Sequence, residues 1–95
     1  MRYNIFKLAS KDFYFHNISG FAAPLLMIQG AKGTLACGYL NINTANKIGD
    51  TIAIVTNVHN YDDMYKSKII DLSIEAKKLG ITIGDSGYSA LNKFK

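Results

Sequence analysis

Cys37 followed by Gly38 is the pair in this chain with the clearest chemical potential. A thiolate is a nucleophile, and a neighbouring glycine lets a ligand or another backbone come close. Packing is the simpler reading, because Cys37 alternates with Leu35 and a cysteine in a strand serves as a small buried hydrophobe. His59 comes second. It follows an apolar run and precedes Asp62 and Asp63, so it could act as a general base or ligand, or simply bond to a helix start. Asn41 offers an amide that could hold a ligand or cap the turn at Ile42 and Asn43. The candidate catalytic residues are therefore Cys37 and His59, and the candidate ligand contacts are Gly38, Tyr39, Asn41 and Asp63. Tyr39, Tyr61, Tyr65 and Tyr88 could line a pocket or a contact between copies. His16 sits within a strand-like run and reads as structural.

Other chemistries are excluded by spacing. A zinc site needs about four ligands at short intervals, and one Cys with two distant His residues does not supply them, so no metal or cofactor is expected within one chain. Gly84-Asp85-Ser86-Gly87 imitates a serine-protease nucleophile segment, but that fold needs two β-barrels with a His and an Asp upstream, and the chain is too short for it. Ser86 is better explained as a helix cap. Gly30-Ala31-Lys32-Gly33-Thr34 lacks phosphate-loop spacing and precedes a strand where a helix would be needed.

The elements that position these residues follow from pattern. Tyr3 to Leu8 and Phe13 to Ile18 read as a hairpin across a turn at Ala9 to Asp12, with Phe13 and Phe15 on one face and Tyr14, His16 and Ile18 on the other. Ser19-Gly20 breaks that run. Leu25 to Gln29 is an unbroken apolar run, as in a strand buried on both faces, and it pairs through the Gly30 to Gly33 turn with Thr34 to Leu40. Asn43 is the expected cap of a short helix that stops at Gly49. Ile52 to Val58 is a β-branched central strand. Asn60 caps a second helix, with Asp62 and Asp63 where the helix dipole favours anions. Lys68 to Ser73 reads as a strand, Ser73 caps a helix closed by Gly80, and Ile81 to Ile83 is a short extended piece. Ser86 caps a last helix whose inward stripe is Ala90, Leu91 and Phe94.

Composition sets the class. The chain has 95 residues, 48% hydrophobic, with one Pro and one Cys, which excludes fibrous, low-complexity and disulfide-stapled types. Its size allows about 64% of the unfolded surface to be buried, enough for one modest core. A single domain spanning residues 1–95 is expected. The net charge of +4 is spread evenly, and ten of the eleven cations are Lys, with Arg2 alone able to form a bidentate fork. A nucleic-acid binder clusters its basic residues, so no nucleic-acid partner is expected. No apolar stretch approaches bilayer length and Met1 to Leu8 has no signal-like h-region, so no membrane partner is expected. A lone thiol suits a reducing cytosol, and a cytoplasmic location is the expectation.

One resemblance adds to this. The run Cys37-Gly38-Tyr39-Leu40-Asn41, the helix to Gly49-Asp50, Ala53 and Val55, Asp63-Met64, Lys78-Leu79-Gly80-Ile81, Gly84, Ser86-Gly87 and Ala90-Leu91 together resemble the YunC-like domain of unknown function. The likeness covers about residues 25–94. The family's closing motif reads Gly-Met-(Ser or Thr)-Gly-Arg-Glu-Ala-Leu, and here Asp85, Tyr88 and Ser89 replace its Met, Arg and Glu. Without that Glu only the forward half of a capping box remains, and any anion contact made by the Arg is lost at Tyr88. The resemblance implies a fold and carries no activity.

The expectation is thus an α+β domain: two layers, a mostly antiparallel sheet and short helices packed on one face. The expected function is a small-molecule-binding or accessory domain that self-associates to cover its second sheet face. The alternatives are a small enzyme using Cys37 as nucleophile, and an interaction module without a pocket.

Overall fold

A computed structural model describes residues 3–8, 11–18, 25–38 and 40–95. Among the described residues, six strands lie side by side in chain order: β1 (Tyr3–Leu8), β2 (Lys11–Ile18), β3 (Leu25–Gln29), β4 (Thr34–Cys37), β5 (Ile52–Val55) and β6 (Asp71–Leu72). Four neighbouring pairs are antiparallel. The exception is β4 with β5, which run parallel. A parallel pair cannot be closed by a tight turn, and here the crossover is α1 (Ile42–Ile48). After it come α2 (Tyr61–Lys66), α3 (Ile74–Lys78) and α4 (Gly87–Phe94). The architecture is the expected α+β class, with a mostly antiparallel sheet and short helices.

Register explains the core. Phe13, Leu26, Ile28, Leu35, Cys37, Ala53, Val55 and Leu72 alternate along their strands onto one face and are buried there. Met64 of α2, Ala76 of α3, and Ala90, Leu91 and Phe94 of α4 close over them. The predicted stripe of α4 is therefore the buried one. Crossover helix α1 buries Ala45, which lies outside that cluster. On the opposite face Ala36 and Ile54 are also buried, whereas Ile5 and its cross-strand partner Tyr14 are exposed. Leu25 and Met27 are only partly buried, so β3 alternates and is not buried on both faces as its sequence suggested.

Several boundaries differ from the sequence reading, each for a local reason. Strand β2 begins at Lys11, and the expected turn residues Ala9 and Ser10, like Ser19-Gly20, lie outside the described residues. Strand β4 ends at Cys37, where Leu40 N–H bonds back to Cys37 O at 3.3 Å in a turn. Strand β5 stops at Val55, two residues before Asn57 takes a left-handed φ of 59°. The cap of α1 is Asn41, not Asn43, because Asn41 Oδ1 accepts from Asn43 N at 2.8 Å and Thr44 N at 3.3 Å. Only Asp71 and Leu72 of the segment 68–73 form a strand. Ile69 instead bonds the turn that follows α3, donating to Asp85 O and accepting from Gly84 N, both at 2.8 Å. Ile81 to Ile83 form no strand, since Thr82 N–H is taken by Asp85 Oδ2 at 2.9 Å.

Candidate functional site

The parallel pair decides where the candidate residues go. Cys37 and Val55 are paired at the carboxyl ends of β4 and β5, and both chains leave the sheet there. One departure carries Gly38 and Asn41 into α1, and the other carries His59 and Asp63 into α2. Carboxyl ends of parallel strands are the usual place for ligands in such sheets. Topology therefore brings the candidates to one end of the sheet, but their side chains do different things. Tyr39 lies outside the described residues.

Cys37 is 5% exposed and belongs to the core cluster. Its Sγ accepts the N–H of Leu26 at 3.3 Å, across β3. His59 is exposed on the loop before α2. Its backbone N–H donates to Asp63 Oδ2 at 2.9 Å, while Asp63 N–H donates to Asn60 Oδ1 at 2.9 Å. These reciprocal bonds satisfy N–H groups at the start of α2. The carboxylate of Asp63 is thus engaged by its own loop. Asn60 is the cap the sequence indicated.

A hollow of about 350 Å³ opens beside these loops, lined by Gly38, Leu40, Asn41, Ile42, Asn43 and Asp71. That volume falls within the range of small-ligand sites. Asn41 spends Oδ1 on the helix cap, so its amide nitrogen is the group with donors to offer. Asp71 accepts Leu72 N–H through Oδ1 at 2.9 Å, which makes Oδ2 its oxygen available to a donor. Two of the expected contacts, Gly38 and Asn41, line this hollow. Asp63 does not, and Asp71 stands in its place. Nothing in the run Ile69-Ile70-Asp71-Leu72 marks Asp71, because only the pairing of β6 with Ile54 brings it there. A second hollow, of about 480 Å³, lies at the amino ends of β4 and β5, with Lys32, Thr34, Asp50 and Thr51 in its wall.

Three of the four tyrosines named from sequence form one row with Phe15. Ring centroids are 5.8 Å apart for Phe15 and Tyr61, 5.7 Å for Tyr61 and Tyr65, and 4.7 Å for Tyr65 and Tyr88. Burial raises the Tyr61 hydroxyl above its ordinary pKa, with further contributions from Tyr65 and Asp62. Burial also raises Tyr65, helped by Tyr88 through charge and a hydrogen bond. Among the described residues, no three His, Cys, Asp or Glu side chains gather as a metal site would require. No described helix is long and apolar enough to cross a membrane.

Residues 36–94 match the model of a domain of unknown function, DUF1805. The crystal structure of a protein of unknown function, TA1206 from Thermoplasma acidophilum, is similar over 99% of this chain and 92% of that one. Its sequence identity is 37% and its TM-score 0.95. No curated protein matches the chain. The YunC-like resemblance and the matched model describe one family, and with 37% identity maintained along nearly the whole length, the chain belongs to the DUF1805 family.

Proposed function

We propose that this protein is a small-molecule-binding or accessory domain, that it takes a polar ligand in the hollow at the carboxyl ends of β4 and β5, and that it self-associates. The observation that carries the first part is the convergence of Gly38, Asn41 and Asp71 on one hollow, while the thiol beside them is held in the core. A glycine at the rim admits a ligand close to the backbone. The Asn41 amide supplies donors and the Asp71 carboxylate an acceptor, so the fitting ligand is a small molecule carrying both an acceptor and a donor, such as an amide, polyol or amine. Self-association rests on the exposed apolar positions Ile5 and Tyr14 of the sheet. In this reading the chain works in the cytoplasm and on neither nucleic acid nor membrane, consistent with dispersed lysines and a single arginine.

Two measurements test the reading. Titrating small amides, polyols and amines into the ¹⁵N-labelled protein should move the amide resonances of Gly38, Asn41 and Asp71 together, and Asp71→Asn should weaken the response. Binding that leaves those resonances in place would overturn the assignment. Light scattering should return a mass above one chain, and a monomer at high concentration would refute self-association.

A further inference from the structure

Register sets one row of residues across the sheet. Tyr14 pairs with Gln29, Gln29 with Thr34, and Thr34 with Ile52. Cross-strand partners share a face. The core under α2, α3 and α4 takes their neighbours Phe13, Ile28, Leu35 and Ala53, so the row lies on the opposite face. There Gln29, Thr34 and Ile52 line the hollow of about 480 Å³ at the amino ends of β4 and β5. Lys32 joins them from the turn between β3 and β4. Asp50 and Thr51 join from the loop that returns α1 to β5. Among the described residues neither Lys32 nor Asp50 has an ion-pair partner, so two opposite charges line one hollow without closing on each other. Gln29 Oε1 lies 3.2 Å from His16 Nε2, which leaves its amide nitrogen to donate. Partly buried Met27, Leu40 and Ile52 give the same hollow an apolar part.

We propose that this hollow binds a free α-amino acid with an apolar side chain. Its carboxylate meets the Lys32 ammonium, with the Thr34 and Thr51 hydroxyls and the Gln29 amide as further donors. Its ammonium meets the Asp50 carboxylate, and its side chain rests on Met27, Leu40 and Ile52. A zwitterion satisfies both charges at once, whereas a simple anion faces Asp50 and a simple cation faces Lys32. Hydrogen bonds to charged groups are about twice as strong as neutral ones, so both ends of the ligand contribute. The volume falls within the range of small-ligand sites. This site is distinct from the hollow at the carboxyl ends, although Leu40 lines both.

The test titrates L-leucine into the full ¹⁵N-labelled chain, beside isocaproate, which lacks the ammonium, and isoamylamine, which lacks the carboxylate. Leucine should move the amide resonances of Lys32, Thr34, Asp50 and Thr51 together. Each analogue should bind about tenfold or more weakly. Asp50→Asn should weaken leucine by about the same factor and erase its advantage over isocaproate. Its far-ultraviolet circular dichroism should be unchanged, because Asp50 is exposed. Equal binding of leucine and isocaproate would overturn the zwitterion assignment. Shifts confined to Gly38, Asn41 and Asp71 would seat leucine in the other hollow and overturn this site while supporting that one. Resonances that stay still in excess leucine would overturn this site and leave the reading of the carboxyl-end hollow standing.

Discussion

Ser73 and Ile52 hold each other twice. Ile52 N–H donates to Ser73 Oγ at 2.9 Å, and Ser73 N–H donates to Ile52 O at 2.9 Å. The same hydroxyl accepts Ala76 N–H at 3.3 Å as the cap of α3, and the side chain is fully buried. One oxygen thus joins β5 to a helix start. Ser73→Ala leaves two N–H groups without that acceptor. Loss of a cap costs about 1 kcal/mol, and an unsatisfied buried donor about 1–3. Urea unfolding should show a loss of about 2–3 kcal/mol, and a change within about 0.5 kcal/mol, typical of exposed surface sites, would refute this account of the site.

Two glycines should respond differently to alanine. A Cβ on Gly87, the first residue of α4, would lie 1.9 Å from Met64 O, a backbone atom that cannot swing aside. Gly87→Ala must push α4 away from α2, at a cost of about 3 kcal/mol or more. Gly49 closes α1 at φ 79°, and a Cβ there meets nothing within 4 Å. Gly49→Ala should cost about 1–2 kcal/mol, the penalty of left-handed backbone alone. Thermal melts of the two variants side by side check the ranking, and equal losses would show that close packing at α4 is not what requires Gly87.

Much of the fold was legible because it is written in local pattern. The caps Asn60, Ser73 and Ser86 and the stop at Gly49 are single-residue signals with a direct physical cause. The stripe Ala90, Leu91 and Phe94 is helical spacing. Less legible were features set by pairing over long sequence distance. The length of β4 depends on where β5 ends, and the placement of Asp71 depends on β6 meeting Ile54. The site residues show the same division. Gly38 and Asn41 follow the Cys-Gly strand directly and reach the hollow, whereas Asp63 satisfies its own helix start. A carboxylate near a histidine in sequence reads the same whether it caps or catalyses.

Cys37 should be chemically quiet in the folded protein. Its burial leaves little thiol for a reagent to reach, and its sulfur already accepts the N–H of Leu26. Thiolate chemistry needs an accessible, low-pKa sulfur. Labelling with an aromatic disulfide reagent should be slow at neutral pH and rapid in urea. Cys37→Ala should cost about 1–3 kcal/mol through lost packing among Leu35, Val55 and their neighbours. Fast labelling of the native chain at mildly acid pH would instead establish the nucleophile reading.

The tyrosine row should make stability fall at alkaline pH. Tyr61 and Tyr65 both have raised pKa values in the fold, chiefly through burial and then through their neighbours. A free tyrosine releases its proton near pH 10. Between that value and the raised folded one, the folded chain holds protons that the unfolded chain has given up. Linkage then lowers stability as pH rises. The contribution is fully present below about pH 10 and is lost as pH climbs through the folded values. Tyr65→Phe removes one titrating group while keeping the ring that packs on Tyr88. It should make the alkaline decline shallower. Tyr61→Phe should flatten the decline as well. Urea midpoints at about pH 8 and about pH 11, with tyrosinate absorbance followed in parallel, measure both effects around the ordinary tyrosine value. Equal midpoints at the two pH values would show that the row does not couple tyrosine ionisation to folding.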